Sequence, residues 1–262
     1  IVSGMNAMDY SQIDDQPHFE TRLDTFGIFN MEMSKTLDMQ GLLPIMYNLM
    51  FFTMSSDLPI REQANQGIEQ VMRRVADGSG RAGVILQTGE ELVSGSETSP
   101  EFHMLVLKIV LPATKKGLRS KTLEGRNQFQ IILELLIGLF SEHKAFAGLH
   151  CLRNFEDVER DFFLNVRHIQ VHRRLRAVQL LMKLTEEGKL SESDSMQYLH
   201  PIVEHFLFEN TTESEHNLTN QVVLYTGVLS KVLGWKEYSM LLTKYMKLVH
   251  KKAEMAKLLL RM

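Results

Sequence analysis

The chain has 262 residues, a formal net charge of −3 at pH 7, and apolar and charged fractions of 44% and 23%. This length suffices for one large domain or a run of repeats with a sizeable core, and the composition excludes an intrinsically disordered chain. The slightly negative charge excludes a polyelectrolyte that binds nucleic acid over its whole surface, so any such contact must come from local patches. The single Cys151 excludes an internal disulfide and a multi-cysteine zinc site, and it favours a reducing compartment.

The first half of the chain is predicted to be helical, because apolar residues recur at steps of three and four. The predicted helices cover residues 18–36, 43–54, 60–76, 101–116 and 121–140 approximately. Pro44 is expected in the first turn of the second helix, and Pro112 marks a candidate kink in the fourth. Between Asp77 and Pro100 glycine, serine and threonine are frequent, which predicts a flexible Gly/Ser-rich insertion at about 77–100.

The second half continues the helical pattern. A short helix is expected over 144–152, and longer helices over 169–187, from about 191 to 208, over 218–233, and from about 236. Gly188 is the predicted stop of one helix, and Ser191 or Ser193 the predicted cap of the next. No alternation of period two is found outside the insertion, so the predicted fold class is all-α.

Three of these helices share a register. An arginine near the helix entrance is followed by small or apolar residues three, six, seven and ten positions later, counted from Arg61, Arg126 and Arg174. These offsets lie on one helical face. The pattern is similar to that of the second helix of a HEAT repeat, and it predicts an α-solenoid of stacked antiparallel helix pairs. The alternative, that any amphipathic helix with a basic first turn matches, stays open.

We expect residues 1–262 to form a single segment of a HEAT-repeat array. The chain begins with Ile1, and its last helical pattern reaches Met262 without a capping signal. We therefore expect it to be a piece of a longer polypeptide.

The segment from Asp161 to Ala177, DFFLNVRHIQVHRRLRA, is more specific than a generic repeat helix. It resembles the signature of the DRIM-type (down-regulated in metastasis) HEAT-repeat component of the small-subunit processome. Residues 19–26, residues 117–122, and Trp235 with Tyr238 resemble further blocks of that family. The likeness departs at 77–100 and at 209–216.

This resemblance implies a non-enzymatic scaffold in the nucleolus that supports small-subunit pre-rRNA processing and ribosome assembly. The implied partners are other processome proteins, pre-ribosomal RNA and small nucleolar RNA, and the family carries no catalytic residues to transfer. The alternative is a HEAT-type adaptor of another pathway, such as transport or signalling, that binds proteins only.

Basic side chains that could contact RNA phosphates or an acidic partner form two main clusters. The first cluster comprises Arg167, His168, His172, Arg173, Arg174 and Arg176. The second comprises Lys244, Lys247, His250, Lys251, Lys252 and Lys257 on the last predicted helix. The alternative for the first is a solvated face or pairing with the acidic residues at 156–161. A smaller patch at Lys115, Lys116, Arg119 and Lys121 falls at a predicted helix–helix turn, where lysine also simply favours a helix C-terminus.

The sequence gives little support for a metal site, a nucleophilic thiol or a membrane span. His168 and His172 share a helical face, but no third metal ligand accompanies them, so no metal and no cofactor are expected. Cys151 follows His150, yet neighbours on a helix diverge by about a hundred degrees, and a core cysteine is the better interpretation. The apolar stripes at 43–54 and 131–140 are expected to be core, and the alternative is an apolar groove exposed to a partner helix. Neither stripe is long enough to cross a membrane. No small-molecule substrate is expected.

Overall fold

The computed structural model describes residues 1–11, 14, 16–79, 99–209 and 213–251. The chain divides into two compact units, Ile1–Phe140 and Ser141–Met262. The predicted insertion at 77–100 lies largely outside the described residues; of its described positions, 77–79 continue a helix and 99–100 lead into the next one. Lys252 and Lys257 also lie outside the described residues.

The first unit is built from helices joined by short turns. In chain order its elements are α1 (Val2–Met5), β1 (Met8–Asp9), β2 (Gln16–Pro17), α2 (Phe19–Ile28) continued by a π-helical turn (Phe29–Met33), α3 (Met39–Phe52), α4 (Leu58–Ser79), a π-helix (Phe102–Val110) continued by α5 (Leu111–Gly117), and α6 (Leu123–Leu139).

The second unit has shorter elements before and between its longer helices. They are 3₁₀ helices at Ala147–Leu152 and Val158–Arg160, α7 (Phe162–Val166), α8 (Val171–Glu186), α9 (Glu192–Asp194), a π-helical turn (Ser195–Leu199), α10 (His200–Glu204), α11 (Phe206–Glu209), α12 (Glu213–Val232) and α13 (Trp235–Lys251). Here α8 packs mainly on α12 and on α7.

The predicted all-α, repeat-like fold class is confirmed. Within the described residues the strand content is one antiparallel pair, in which Met8 faces Pro17 and Asp9 faces Gln16. This pair could not be predicted from the sequence, because two residues per strand are too few to show an alternating pattern. That both units belong to one HEAT-repeat array stays a prediction.

Several predicted boundaries were wrong. α3 begins at Met39, because Asp38 caps it by accepting a hydrogen bond from the Gly41 N–H at 2.9 Å. Pro44 therefore lies inside the helix and not in its first turn. The helix expected over 144–152 is a shorter 3₁₀ helix, and α12 starts five residues earlier than expected.

Other stop and cap signals worked as predicted. Gly188 has φ +67° after α8, a conformation that disfavours side chains with a Cβ. Its N–H bonds the Thr185 carbonyl at 3.1 Å and the Lys189 N–H bonds the Leu184 carbonyl at 3.0 Å, which closes the helix as a Schellman motif. Ser191, one of the two predicted caps, accepts a hydrogen bond from the Asp194 N–H at 3.0 Å.

Two π-helical segments precede prolines. The segment Phe102–Val110 runs into α5, whose second residue is Pro112, and Ser195–Leu199 runs into α10, whose second residue is Pro201. Proline has no N–H to donate and its ring crowds the carbonyl of the preceding turn. A widened turn before proline relieves both problems, so the candidate kink at Pro112 is a change of helix type.

The arginine register describes a recurring structural feature. Arg61, Arg126 and Arg174 are each the fourth residue of their helix, α4, α6 and α8. The Nη1 atoms of Arg61 and Arg126 donate to carbonyls six residues earlier, those of Ser55 at 2.9 Å and Ser120 at 3.0 Å. The arginine thus ties the first turn of the helix to the loop that leads into it.

The residues that follow these arginines face the core. All of the apolar or small positions in the register are buried except Leu180, which is half-buried. At Gly67 the fit is tightest, since an added Cβ would lie 2.8 Å from Asn30 Oδ1 and 2.9 Å from Leu49 Cδ2. Gly67 thereby lets α4 approach α3 and the π-helical turn after α2 closely.

Candidate partner-binding surfaces

The first basic cluster lies on the α7–α8 corner, and its two central arginines are engaged within the chain. Arg173 Nε donates to Asn165 Oδ1 at 3.0 Å. The guanidinium of Arg174 lies 5.6 Å from the ring centroid of Phe206, and its Nη2 is 3.4 Å from the Ile169 carbonyl. These contacts fix the orientation of α8 and leave less of the cluster available to a partner.

Asp161 and Asn165 stabilise the α7–α8 corner through buried hydrogen bonds. Asp161 is 1% exposed, and its Oδ2 accepts a hydrogen bond from Arg153 Nε at 2.8 Å. Its Oδ1 accepts the Leu164 N–H at 3.1 Å and so caps α7. Asn165 Nδ2 donates to the Glu159 carbonyl at 2.6 Å. Much of the Asp161–Ala177 signature therefore maintains the corner itself.

The rest of the first cluster divides by charge and burial. Arg167 is half-buried, whereas His172 and Arg176 are exposed. His168 Nδ1 accepts the Gln170 N–H at 3.0 Å. Desolvation, then the neighbouring Arg173 and His172, lower the pKa of His168 below its ordinary value, which favours the neutral imidazole. Among Arg167, His168, His172 and Arg176, the exposed residue with a permanent positive charge is Arg176.

The second cluster follows one face of α13. Lys244, Lys247 and Lys251 are exposed at steps of three and four, which places them along one side of the helix. They line a shallow groove of about 500 Å³ together with Met240, Thr243 and other residues of the same helix. No acidic residue of the described chain lines this groove, so its local charge is positive.

Lys244 differs from the other two lysines because it forms an ion pair with Glu204 of α10. One helix residue further, the buried Tyr245 hydroxyl lies 2.8 Å from His200 Nε2, also on α10. Burial, then the nearby Glu204 carboxylate, raise the pKa of Tyr245, so it stays neutral. Lys244 is thus partly structural, while Lys247 and Lys251 have no ion-pair partner among the residues that the structure describes.

The smaller basic patch at the α5–α6 turn is joined by residues that sequence reasoning assigned to the core. Phe51 and Met54, at the end of α3, are 71% and 43% exposed. With the patch they line a groove of about 1140 Å³ in the first unit, here called the turn groove. Its other lining residues include Arg22, Phe52, Asp57, Pro112, Ala113 and Phe129. Tertiary packing brings the α3–α4 and α5–α6 turns together, and no local sequence pattern predicts this.

The expectation of a core cysteine was wrong, since Cys151 is exposed. Its Sγ lies 3.4 Å from the Gly148 carbonyl. Partial desolvation of the sulfur raises the pKa of the thiol, which opposes formation of a nucleophilic thiolate.

Within the described ranges, no group of three or more His, Cys, Asp or Glu side chains is placed to hold a metal ion. None of the helices described is both long and apolar enough to span a bilayer.

The sequence of this chain matches a protein-family model and is similar to known proteins. Residues 1–122 match the family model described as "U3 small nucleolar RNA-associated protein 20, N-terminal". The whole chain is similar to U3 small nucleolar RNA-associated protein 20 of Schizosaccharomyces pombe, with 26% identity over 263 aligned residues. It is similar to the Saccharomyces cerevisiae protein of the same name, with 25% identity over 98% of the chain. The chain spans 10% of the length of each of these relatives.

Proposed function

We propose that this chain is part of a non-enzymatic scaffold of the small-subunit processome that supports pre-rRNA processing and ribosome assembly. The observation that carries the proposal is the similarity of the whole chain to two proteins named for association with U3 small nucleolar RNA. The Asp161–Ala177 signature, which resembles the DRIM-type family of that particle, supports the same assignment. The site of action that follows is the nucleolus.

The fold suits a scaffold. Series of helix pairs expose turns and helix faces at regular intervals, so a long array offers many modest sites whose effects combine. Its partners would be other processome proteins, pre-ribosomal RNA and small nucleolar RNA. No catalytic constellation, small-molecule substrate or membrane contact is part of the proposal.

Within the second unit, the α13 face is the better candidate for RNA. Lys247 and Lys251 are exposed beside a groove without acidic lining residues among those described, whereas Arg173 and Arg174 are engaged within the chain. Ammonium groups spaced along a helix contact phosphates as point charges, without reading the bases. Arg176 and His172 would add to the same kind of contact on α8, as would Lys252 after α13.

The salt dependence of RNA binding tests this assignment. Each phosphate contact to a single strand contributes about 0.7 to the slope of log K against log salt, so Lys247→Ala with Lys251→Ala should reduce the slope by about 1.4. The matched control is Lys35→Ala with Lys108→Ala, two exposed lysines of the first unit. A slope unchanged by the α13 pair would show that this face does not contact RNA.

The alternative is a HEAT-type adaptor of another pathway. Purification of the full-length protein from cells distinguishes the two. Enrichment of U3 small nucleolar RNA and small-subunit pre-rRNA with the protein supports the scaffold, and their reproducible absence favours the adaptor.

A further inference from the structure

The turn groove of the first unit has the chemistry of a peptide-binding site. Its lining combines apolar side chains, chiefly Phe51, Met54, Pro112 and Ala113, with five basic residues and one acidic residue. The basic residues are Arg22, Lys115, Lys116, Arg119 and Lys121, and the acidic one is Asp57. We propose that the turn groove binds an acidic protein segment that carries bulky apolar side chains.

The apolar part of the groove is formed where α3 ends. The exposed Phe51 ring lies edge-on to the buried Phe52 ring, with centroids 5.2 Å apart. Met54 lies over α6, since a Cβ at Gly125 would approach Met54 Cε to 2.5 Å. An exposed aromatic ring beside a flexible thioether is suited to contact with the apolar side chains of a partner.

The positive charge of the turn groove favours a negatively charged partner. Lys116 and Lys121 are exposed, and neither forms an ion pair with another residue that the structure describes. Arg119 Nη1 donates to the Lys115 carbonyl at 2.7 Å, which holds that guanidinium at the end of α5. Lys116 and Lys121 would repel a basic segment, whereas the Asp and Glu side chains of an acidic segment would complement their charge.

A protein segment fits these features better than a nucleic acid. Single-stranded RNA is bound by successive aromatic platforms along a phosphate track. Here one ring, Phe51, is exposed in the groove, and the neighbouring apolar surface is aliphatic or thioether. The volume of about 1140 Å³ exceeds the range of about 300–1,000 Å³ usual for small-molecule sites, so it accommodates several peptide side chains.

The test is selection of a random peptide display library on the whole chain, followed by affinity measurement with one synthetic selected peptide. Selected sequences should combine Asp or Glu with Leu, Ile, Phe or Met. Lys116→Glu with Lys121→Glu should weaken that peptide about tenfold or more, from four units of charge change at exposed positions. Phe51→Ser, at a residue that is largely exposed, should weaken it comparably. Lys35→Glu with Lys108→Glu, equal in charge change, should leave it unaltered.

Three results would overturn the proposal. One is that no peptide, or only basic or neutral peptides, are selected. Another is that acidic peptides bind equally well to the groove variants, with circular dichroism confirming that the variants are folded. The third is that an oligouridylate displaces the peptide and itself binds more tightly through Lys116 and Lys121, which would assign the groove to nucleic acid. None of these outcomes depends on whether the chain belongs to a processome scaffold.

Discussion

Arg126 should be the most important of the three register arginines for stability. It is 4% exposed, and its Nη1 donates to the carbonyls of Ser120 and Lys121, each at 3.0 Å. Hydrogen bonds to charged groups contribute about 1.5–3 kcal/mol each. The expected loss is smaller than twice this value, because the two bonds share one nitrogen and because removal of the arginine also removes the cost of burying its charge. For Arg126→Ala we therefore expect a loss of about 2–4 kcal/mol in the free energy of unfolding.

Urea denaturation followed by helical circular dichroism measures this loss, provided that the m-value is unchanged. Arg73→Ala is the control in the same unit, because Arg73 is exposed and forms an i,i+4 pair with Glu69. Such a pair contributes about 0.3–0.5 kcal/mol. Arg61, which is half-buried and makes one such carbonyl bond, should fall between the two. Equal losses for Arg126→Ala and Arg73→Ala would refute the structural role assigned to the register.

Three further predictions follow from the same geometry. Gly67→Ala should lower the free energy of unfolding by about 1–3 kcal/mol through overpacking. The control Gly27→Ala, with no atom within 4 Å of the new Cβ, should raise it slightly. Chemical denaturation measures both, and a neutral or stabilising Gly67→Ala would refute the overpacking. Asp161→Asn should lower the free energy of unfolding by about 3 kcal/mol or more, because it removes the carboxylate charge that pairs with the mostly buried Arg153; a loss under 1 kcal/mol by thermal denaturation would contradict it. The pKa of His143 is lowered by desolvation and then by Lys144, and the pKa of His168 is lowered chiefly by desolvation, so both imidazoles should titrate below about 6.5 by NMR. The stability linked to these lowered pKa values is present above about pH 6.5 and is lost as the pH falls through the pKa values of the folded state. A raised pKa at either histidine would refute this.

The helices and the arginine register could be predicted from the sequence because both are local. Three- and four-residue steps report one buried face, and Arg61, Arg126 and Arg174 lie at the same position in their helices. Helix type could not be predicted. The π-helical segments before Pro112 and Pro201 depend on how each widened turn packs, and apolar spacing does not encode this.

Candidate contact residues were less predictable. A run of basic residues has the same sequence signature whether it faces a partner or the chain itself. The acidic residues upstream of α8 are candidate internal partners of the cluster from sequence alone, and Asp161 does pair internally, but with Arg153. Arg173 instead bonds Asn165, a neutral residue that charge patterning does not flag. Phe51 and Met54 were assigned to the core because hydrophobicity alone does not show which helix end is left uncovered.

The central claim is that this chain contacts components of the small-subunit processome as part of a scaffold. Cross-linking of the purified particle, with mapping of protein and RNA cross-links onto residues 1–262, measures this directly. The account predicts protein cross-links in this segment, including near Lys116 and Lys121, and RNA cross-links near Lys247 and Lys251. A particle that contains the full-length protein but gives no cross-links within these residues would contradict it.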